Sequence, residues 1–270
     1  MNNLVFGKYI PIDSLIHRID PRAKLIALFI MIAAVFIPTN WWVFLAIAII
    51  LFIALLLAKI GIKMIVQSIK PMVFMMVFLL VINILTIKTG DLLTKIWSIE
   101  VYSDAIFNTL FVVVRLMLMI SITTLLTATT KPLDLTLAIE WILKPFELLH
   151  LPTHEIAMMV SIALRFIPTI IEETMRIMDA QKSRGVDFDN GSITKKAVSI
   201  LSLIVPLFSV AFERAYELAD AMEARGYIPG AKRTRYHVLQ FKFIDFLFIL
   251  VSIGVLALSI ASRIYLWDIK

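Results

Sequence analysis

Long apolar runs separated by short polar breaks lay out most of this chain. The first, Leu25–Ile37, follows Asp20-Pro21, which reads as an N-cap with proline at the first helical position. A helix starting at Pro21 is just long enough to span a bilayer, for which about 20 residues are needed. The turn Pro38-Thr39-Asn40 leads to a second run, Trp41–Ala58, whose leading tryptophans suit a membrane interface. The third, Pro71–Ile87, is preceded by Lys59, Lys63 and Lys70, with 61–69 read as lying along the interface. A mixed-charge stretch, Lys88–Asp104, reads as an exposed connection to the fourth run, Ile106–Ala128, which holds Arg115. The fifth is Phe243–Ala261.

Between the fourth and fifth runs the pattern changes. Leu133–Leu149 is amphipathic, with Glu140, Lys144 and Glu147 on one helical face. Two long helices follow, from Thr153 to Arg184 and from Ser192 to Arg225, closed by Gly185 and Gly226. The first would measure about 48 Å at 1.5 Å per residue. Pro168 and Pro206 read as kinks within them. Their apolar parts, 156–171 and 197–212, fall short of the usual span, and we expect them to pack together at or below the cytoplasmic interface rather than cross.

Composition fixes the class. The chain is 270 residues, 60% hydrophobic and 17% charged, against about half and a quarter in soluble domains. That excludes an ordinary soluble core and disorder, and leaves an all-α polytopic membrane protein. No cysteine is present, so thiol-based metal or redox chemistry is absent. The polar N-terminus does not resemble a cleavable signal. Its basic residues and those of the 59–70 loop place both on the cytoplasmic side, so the net charge of +6 reflects orientation rather than a nucleic-acid partner. The predicted organisation is a cytoplasmic segment over 1–24, four spans within 25–128, a cytoplasmic or interfacial helical domain with two Arg-Gly helix ends over 129–242, a fifth span over 243–262 and an external C-terminus over 263–270.

Candidate chemistry is sparse. There is no phosphate-cradling GxxxxGK[ST] motif. His150 and His154 share a helical spacing, but Pro152 between them argues against a metal site. Arg115 and Asn83, inside spans, read as interhelical contacts. Arg165 is expected to pair with Glu172 or Glu173. The informative feature is a repeat: MDAQKSRG (Met178–Gly185) is echoed 41 positions later by ADAMEARG (Ala219–Gly226), with Glu172 matching Glu213 and Asp179 matching Asp220. One basic residue before a glycine stop is an ordinary helix end. Two such ends suggest a partner with duplicated sockets, because the guanidinium fork of an arginine at a helix tip can enter an acidic groove.

With these residues in view, the chain resembles the transmembrane coupling subunit, or T component, of energy-coupling-factor (ECF) transporters. RFIPTIIEETMRIMDAQKSRG (Arg165–Gly185), Ala224–Gly226 and DSLIHRIDPRAK (Asp13–Lys24) carry the likeness, which covers essentially the whole chain. It implies that Ser183, Arg184, Gly185 and Ala224, Arg225, Gly226 form two coupling ends, each docking in one of two cytoplasmic ABC-type ATPases. Ser183 departs from the usual alanine. The resemblance also implies five spans, a prokaryotic plasma membrane, a small substrate-binding membrane partner (S component) for vitamins or other micronutrients, and ATP with Mg only in the ATPases. Support or interface roles would fall to Arg165, Pro168, Glu172, Glu173, Asp179, Pro206, Glu213 and Asp220. Two alternatives are a permease subunit lining the substrate path itself and a lipid-holding scaffold that uses the basic 227–242 segment. The first wants more polar spans, and the second leaves the paired ends unexplained.

Overall fold

The computed structural model describes residues 9–37, 40–96, 99–145, 152–188, 192–231 and 239–267. Its helices are α1 (Pro21–Phe36), α2 (Trp41–Leu57), α3 (Ile62–Ile69), α4 (Val73–Thr86), α5 (Ser103–Thr129), α6 (Pro132–Leu143), α7 (Thr153–Ser183), α8 (Ile193–Ala224) and α9 (Phe243–Trp267). A 3₁₀ turn, Lys70–Met72, joins α3 to α4. The connection before α5 is a two-stranded antiparallel hairpin rather than an irregular loop: β1 (Leu92–Ile96) pairs with β2 (Ile99–Tyr102). Alternating β-branched and aromatic residues (Ile99, Val101, Tyr102) support a strand there even among charges. The chain divides into two units, one holding α1–α6 and α9, the other α7 and α8.

In the first unit α1 packs most extensively on α9 and also on α5, while α2, α3 and α4 lie against α5. Close approach is possible because the buried positions are small. Helix α1 buries Ala23, Ala27 and Ala34, and α9 buries Ser252, Val255 and Ser259 at helical spacing. Small residues let helix backbones approach where lipid supplies no hydrophobic drive between helices. The serine hydroxyls donate within α9, to the Phe248 carbonyl at 3.0 Å and the Val255 carbonyl at 2.9 Å. Asn83 Nδ2 donates to Thr109 Oγ1 at 3.0 Å, tying α4 to α5 as expected. Arg115 sits 5.9 Å from the Phe36 ring centre and 6.0 Å from that of Phe44, so its charge faces aromatic rings of neighbouring elements.

A polar knot ties the start of α1 to α5 and α9. Asp20 caps α1 by accepting from the Arg22 amide at 2.9 Å. The buried Asp245 carboxylate accepts from the Asp20 amide at 2.8 Å and the Lys242 amide at 2.6 Å. Lys24 Nζ donates to the Thr129 carbonyl at 2.9 Å, and the Ile10 amide to the Ala128 carbonyl at 3.0 Å. The stretch DSLIHRIDPRAK thus serves here as a structural clamp. Helix α6 differs from the expected amphipathic pattern: Glu140 is buried alongside Thr136 and Ala138, so its face points inward. Glu147 and His150 lie outside the described residues, as do Lys232, Arg233, Arg235 and His237.

Among the described residues, five helices are by length and composition able to cross a membrane: the continuous stretch Ile62–Thr86, then α5, α7, α8 and α9. The number agrees with the sequence reading, but the membership differs. Helices α1 and α2, with 16 and 17 residues or about 25 Å, are shorter apolar helices at the lower edge of the length that spans a bilayer. Helices α7 and α8 reach 31 and 32 residues because each continues from an apolar half into a charged one.

Candidate functional site

Both Arg-Gly sequences end their helices with the same backbone construction. At the end of α7, Arg184 has φ −88° and ψ 7°, and Gly185 has φ 86°. The Gly185 amide donates to the Lys182 carbonyl at 2.9 Å and the Val186 amide to that of Gln181 at 3.1 Å. At the end of α8, Arg225 has φ −90° and ψ 10°, and Gly226 has φ 70°. Here the Gly226 amide donates to the Glu223 carbonyl at 2.8 Å and the Tyr227 amide to that of Met222 at 2.9 Å. These are two Schellman caps, in which a left-handed glycine turns the chain back onto the last helical turn. Among the described residues nothing lies within 4 Å of where a Cβ would stand on either glycine, so there the positive φ selects glycine.

The caps leave the preceding arginines in the open. Arg184, Arg225, Ala224 and Ser183 are exposed, as are Glu172, Asp179, Glu213 and Asp220. Among the described residues neither tip arginine forms an ion pair. Ser183 Oγ donates to the Asp179 carbonyl at 3.0 Å, so the hydroxyl that departs from alanine is turned back onto its own helix.

Helices α7 and α8 run antiparallel. Glu173 Oε1 meets Arg214 Nη2 at 3.4 Å. Beyond α7, the Asp187 carbonyl accepts from Ser199 Oγ, early in α8, at 2.7 Å. Arg184 and Arg225 each lie 11 residues past the Glu173–Arg214 pair, in opposite directions. At 1.5 Å per residue the tips are therefore about 33 Å apart along the pair. The ion pair expected for Arg165 is not formed, and Arg165 is exposed. It lies two helical turns from Glu172 and Glu173, whereas Arg176, one turn away, reaches Glu173 Oε1 at 3.3 Å. Both helices continue without interruption through Pro168 and Pro206. Arg214 and Arg176 were not singled out by the sequence reading. The signal for Arg214 was the repeat itself, since it stands 41 positions after Glu173.

No group of three or more His, Cys, Asp or Glu residues that could hold a metal occurs among the described residues. The apolar halves of α7 and α8 are instead open, with Met159, Val198, Val205, Phe208 and Phe212 all exposed.

A family model described as CbiQ, cobalt transport protein, matches residues 13–238. The energy-coupling factor transporter transmembrane protein EcfT of Listeria innocua is 42% identical over 258 residues, covering 95% of this chain and 97% of that protein. The protein of the same description from Bacillus subtilis is 40% identical over 257 residues, with 95% and 97% covered. That of Macrococcus caseolyticus is 39% identical over 255 residues, with 94% and 96% covered. Relatives this similar over almost their whole length, together with the multi-helix fold, make this a multi-pass protein of the bacterial plasma membrane and not itself an enzyme. The chain belongs to the CbiQ/EcfT family of transmembrane coupling subunits of ECF transporters.

Proposed function

We propose that Arg184 and Arg225 are the two contacts through which a pair of cytoplasmic ABC-type ATPases drives this subunit, one ATPase on each tip. The observation that carries this reading is the pair of matched Schellman caps at equal distances from the Glu173–Arg214 pair. Such an element presents two alike arginines about 33 Å apart, which suits two alike sockets. Gly185 and Gly226 set the turn that exposes each arginine, and Ser183 and Ala224 keep the approach close. ATP and Mg reside in the ATPases. The exposed apolar halves of α7 and α8 form the platform for the substrate-binding S component, and movement of the tips shifts that platform.

Both tips belong on the cytoplasmic side, and the antiparallel pairing supports this. It sets the charged half of α8, with Glu213, Arg214, Glu217, Asp220, Glu223 and Arg225, beside the apolar half of α7, and the reverse at the other end. No slab of hydrocarbon can enclose both apolar halves without also enclosing a charged one. Each charged side chain at a bilayer centre costs about 2.5–3.5 kcal/mol on insertion scales, so six of them outweigh what one apolar half gains. The pair fits the interface, although each helix alone is long enough to span.

The test is charge reversal. Arg184→Glu and Arg225→Glu, singly and together, are expressed with the ATPases and S component, and copurification and substrate uptake are measured. Each single variant should weaken ATPase capture, and the double variant should abolish capture and uptake. A normally inserted double variant that still captures both ATPases and transports would refute the docking role. Cysteines placed at Val186 and Tyr227 should both label from the cytoplasm alone, and external labelling of Val186 would refute the topology.

A further inference from the structure

The offset of 41 that aligns Arg184 with Arg225 also aligns Glu173 with Arg214 and Arg176 with Glu217. Glu173 and Arg214 touch, at 3.4 Å. When equivalent positions of two repeats touch, they lie on a local two-fold axis, as in an isologous contact between identical subunits. Identical charged residues would meet there with like sign against like sign. The repeats are inverted in sign in this part of the alignment: acid aligns with base at 173/214, where the two touch, and base with acid at 176/217. Away from the axis, at 179/220 and 184/225, they are the same residue. Arg176 holds the shared carboxylate oxygen from the other side at 3.3 Å, but is 76% exposed and adds little. The central pair is better shielded, with the Glu173 side chain 18% exposed and that of Arg214 33%.

Resting on the docking reading above, we propose that Glu173 and Arg214 are positioning residues: the fulcrum that fixes the register of α7 on α8, so that motion at one tip is transmitted to the other. Each tip stands about 16 Å from this pair. A slip of α7 by one helical turn along α8 would change the spacing of the tips by about 5.4 Å, enough to take one arginine out of its socket. The apolar contacts between two regular helices do not by themselves forbid such a slip, because side chains recur every turn. The ion pair at the axis does, with the Ser199 hydrogen bond to the Asp187 carbonyl holding the turn end of the same register. Sign inversion at the contact and identity at the tips are the two requirements of a lever that is symmetric in output and fixed at its pivot.

The experiment uses the whole transporter, with ATPases and S component, in proteoliposomes. Glu173→Arg, Arg214→Glu and the exchanged double variant are compared by ATPase copurification and by substrate taken up per ATP hydrolysed. Each single reversal sets like charges together at a partly shielded site and should lower uptake per ATP by about tenfold or more, while the intact tips still hold the ATPases. The exchange should restore the ratio to within about threefold, since it rebuilds the pair with its ends swapped. Unchanged ratios in both single variants, or an exchange no better than the worse single, would overturn the proposal. Should a reversal prevent insertion, Glu173→Gln is read in its place, and a normal ratio in that variant overturns the proposal equally. The two readings fail separately. ATPase capture that survives loss of both tip arginines defeats docking, whereas intact docking with an exchange that restores nothing defeats only the fulcrum.

Discussion

The caps give a prediction whose size follows from backbone geometry alone. Gly185 and Gly226 hold φ of 86° and 70°, and no atom of the described residues lies within 4 Å of where a Cβ would stand on either. Replacement by alanine meets no steric clash, so the full effect is the left-handed penalty, about 1–2 kcal/mol per residue. That corresponds to a factor of roughly 5–30 in the ratio of capped to frayed tip. Helix α2 shows that the conformation is tolerable without glycine: Lys59 follows it with φ 56°, and the Ile60 amide donates to the Leu55 carbonyl at 3.2 Å. Gly185→Ala and Gly226→Ala should therefore weaken the tips without abolishing the helices. Gly61→Ala is the control, because Gly61 has φ −68° and equally open space.

Hydrogen exchange of the detergent-solubilised protein reads the caps directly through the Val186 and Tyr227 amides. Each should exchange about 5–30 times faster in the cognate alanine variant, with the other tip unaffected. Asparagine at either position should fall between glycine and alanine, since its side chain tolerates the left-handed region. ATPase capture should weaken in the same order. If Gly185→Ala and Gly226→Ala match Gly61→Ala in both exchange and capture, the glycines do not position the arginines, and the geometric part of the docking reading fails.

Two further outcomes concern the clamp at α1. Asp245→Ala removes a buried acceptor from the Asp20 and Lys242 amides, and should cost on the order of 3 kcal/mol in detergent unfolding, with Asp245→Asn milder because it keeps one acceptor. His17 lies in the turn before α1, with Nε2–H donating to the Ile10 carbonyl at 3.0 Å and Nδ1 accepting from Ser14 Oγ at 2.7 Å, the neutral tautomer. Burial, with a smaller contribution from the charge of Lys24, lowers its pKa below the usual 6.5, against the raising effect of the Ile10 contact. The unfolded chain then binds the proton more readily, so its contribution to stability is full above pH 6.5 and is lost as the pH falls through and below that value. Unfolding temperature should drop between about pH 7 and 5.5, and His17→Gln should flatten that drop; an unchanged slope in the variant would show the titrating group to lie elsewhere.

Local signals carried much of this fold. The Asp20-Pro21 start, the glycine stops at 185 and 226, and the pairing role of Asn83 are each decided by a few neighbouring residues, and each stands as read. Features that failed to show in the sequence depend on residues far apart or on competing partners. Asp245 binds the Asp20 amide across 225 positions, and nothing near Asp245 marks it as more than an acid in the first turn of a helix. Opposite sign suggests Glu172 or Glu173 as the partner of Arg165, but about two helical turns separate them, and Arg176 and Arg214 hold the Glu173 carboxylate instead. The hairpin at 92–102 was hidden by its own charges.

The repeat was legible in one sense and misleading in another. Likeness at Asp179/Asp220 and Arg184/Arg225 draws attention to the tips, where the two copies are far apart. The same alignment makes Glu173 and Arg214 look like a mismatch, hence noise. Physically the order is reversed. Copies that meet on a two-fold axis cannot keep the same charge without repulsion, so unlikeness at 173/214 is the residue pattern that contact requires, and likeness elsewhere is the pattern that two equal partners require. Sign inversion at 173/214 coincides with contact between the copies, as a 3.4 Å ion pair, whereas 176/217, three residues further along each helix, is inverted as well.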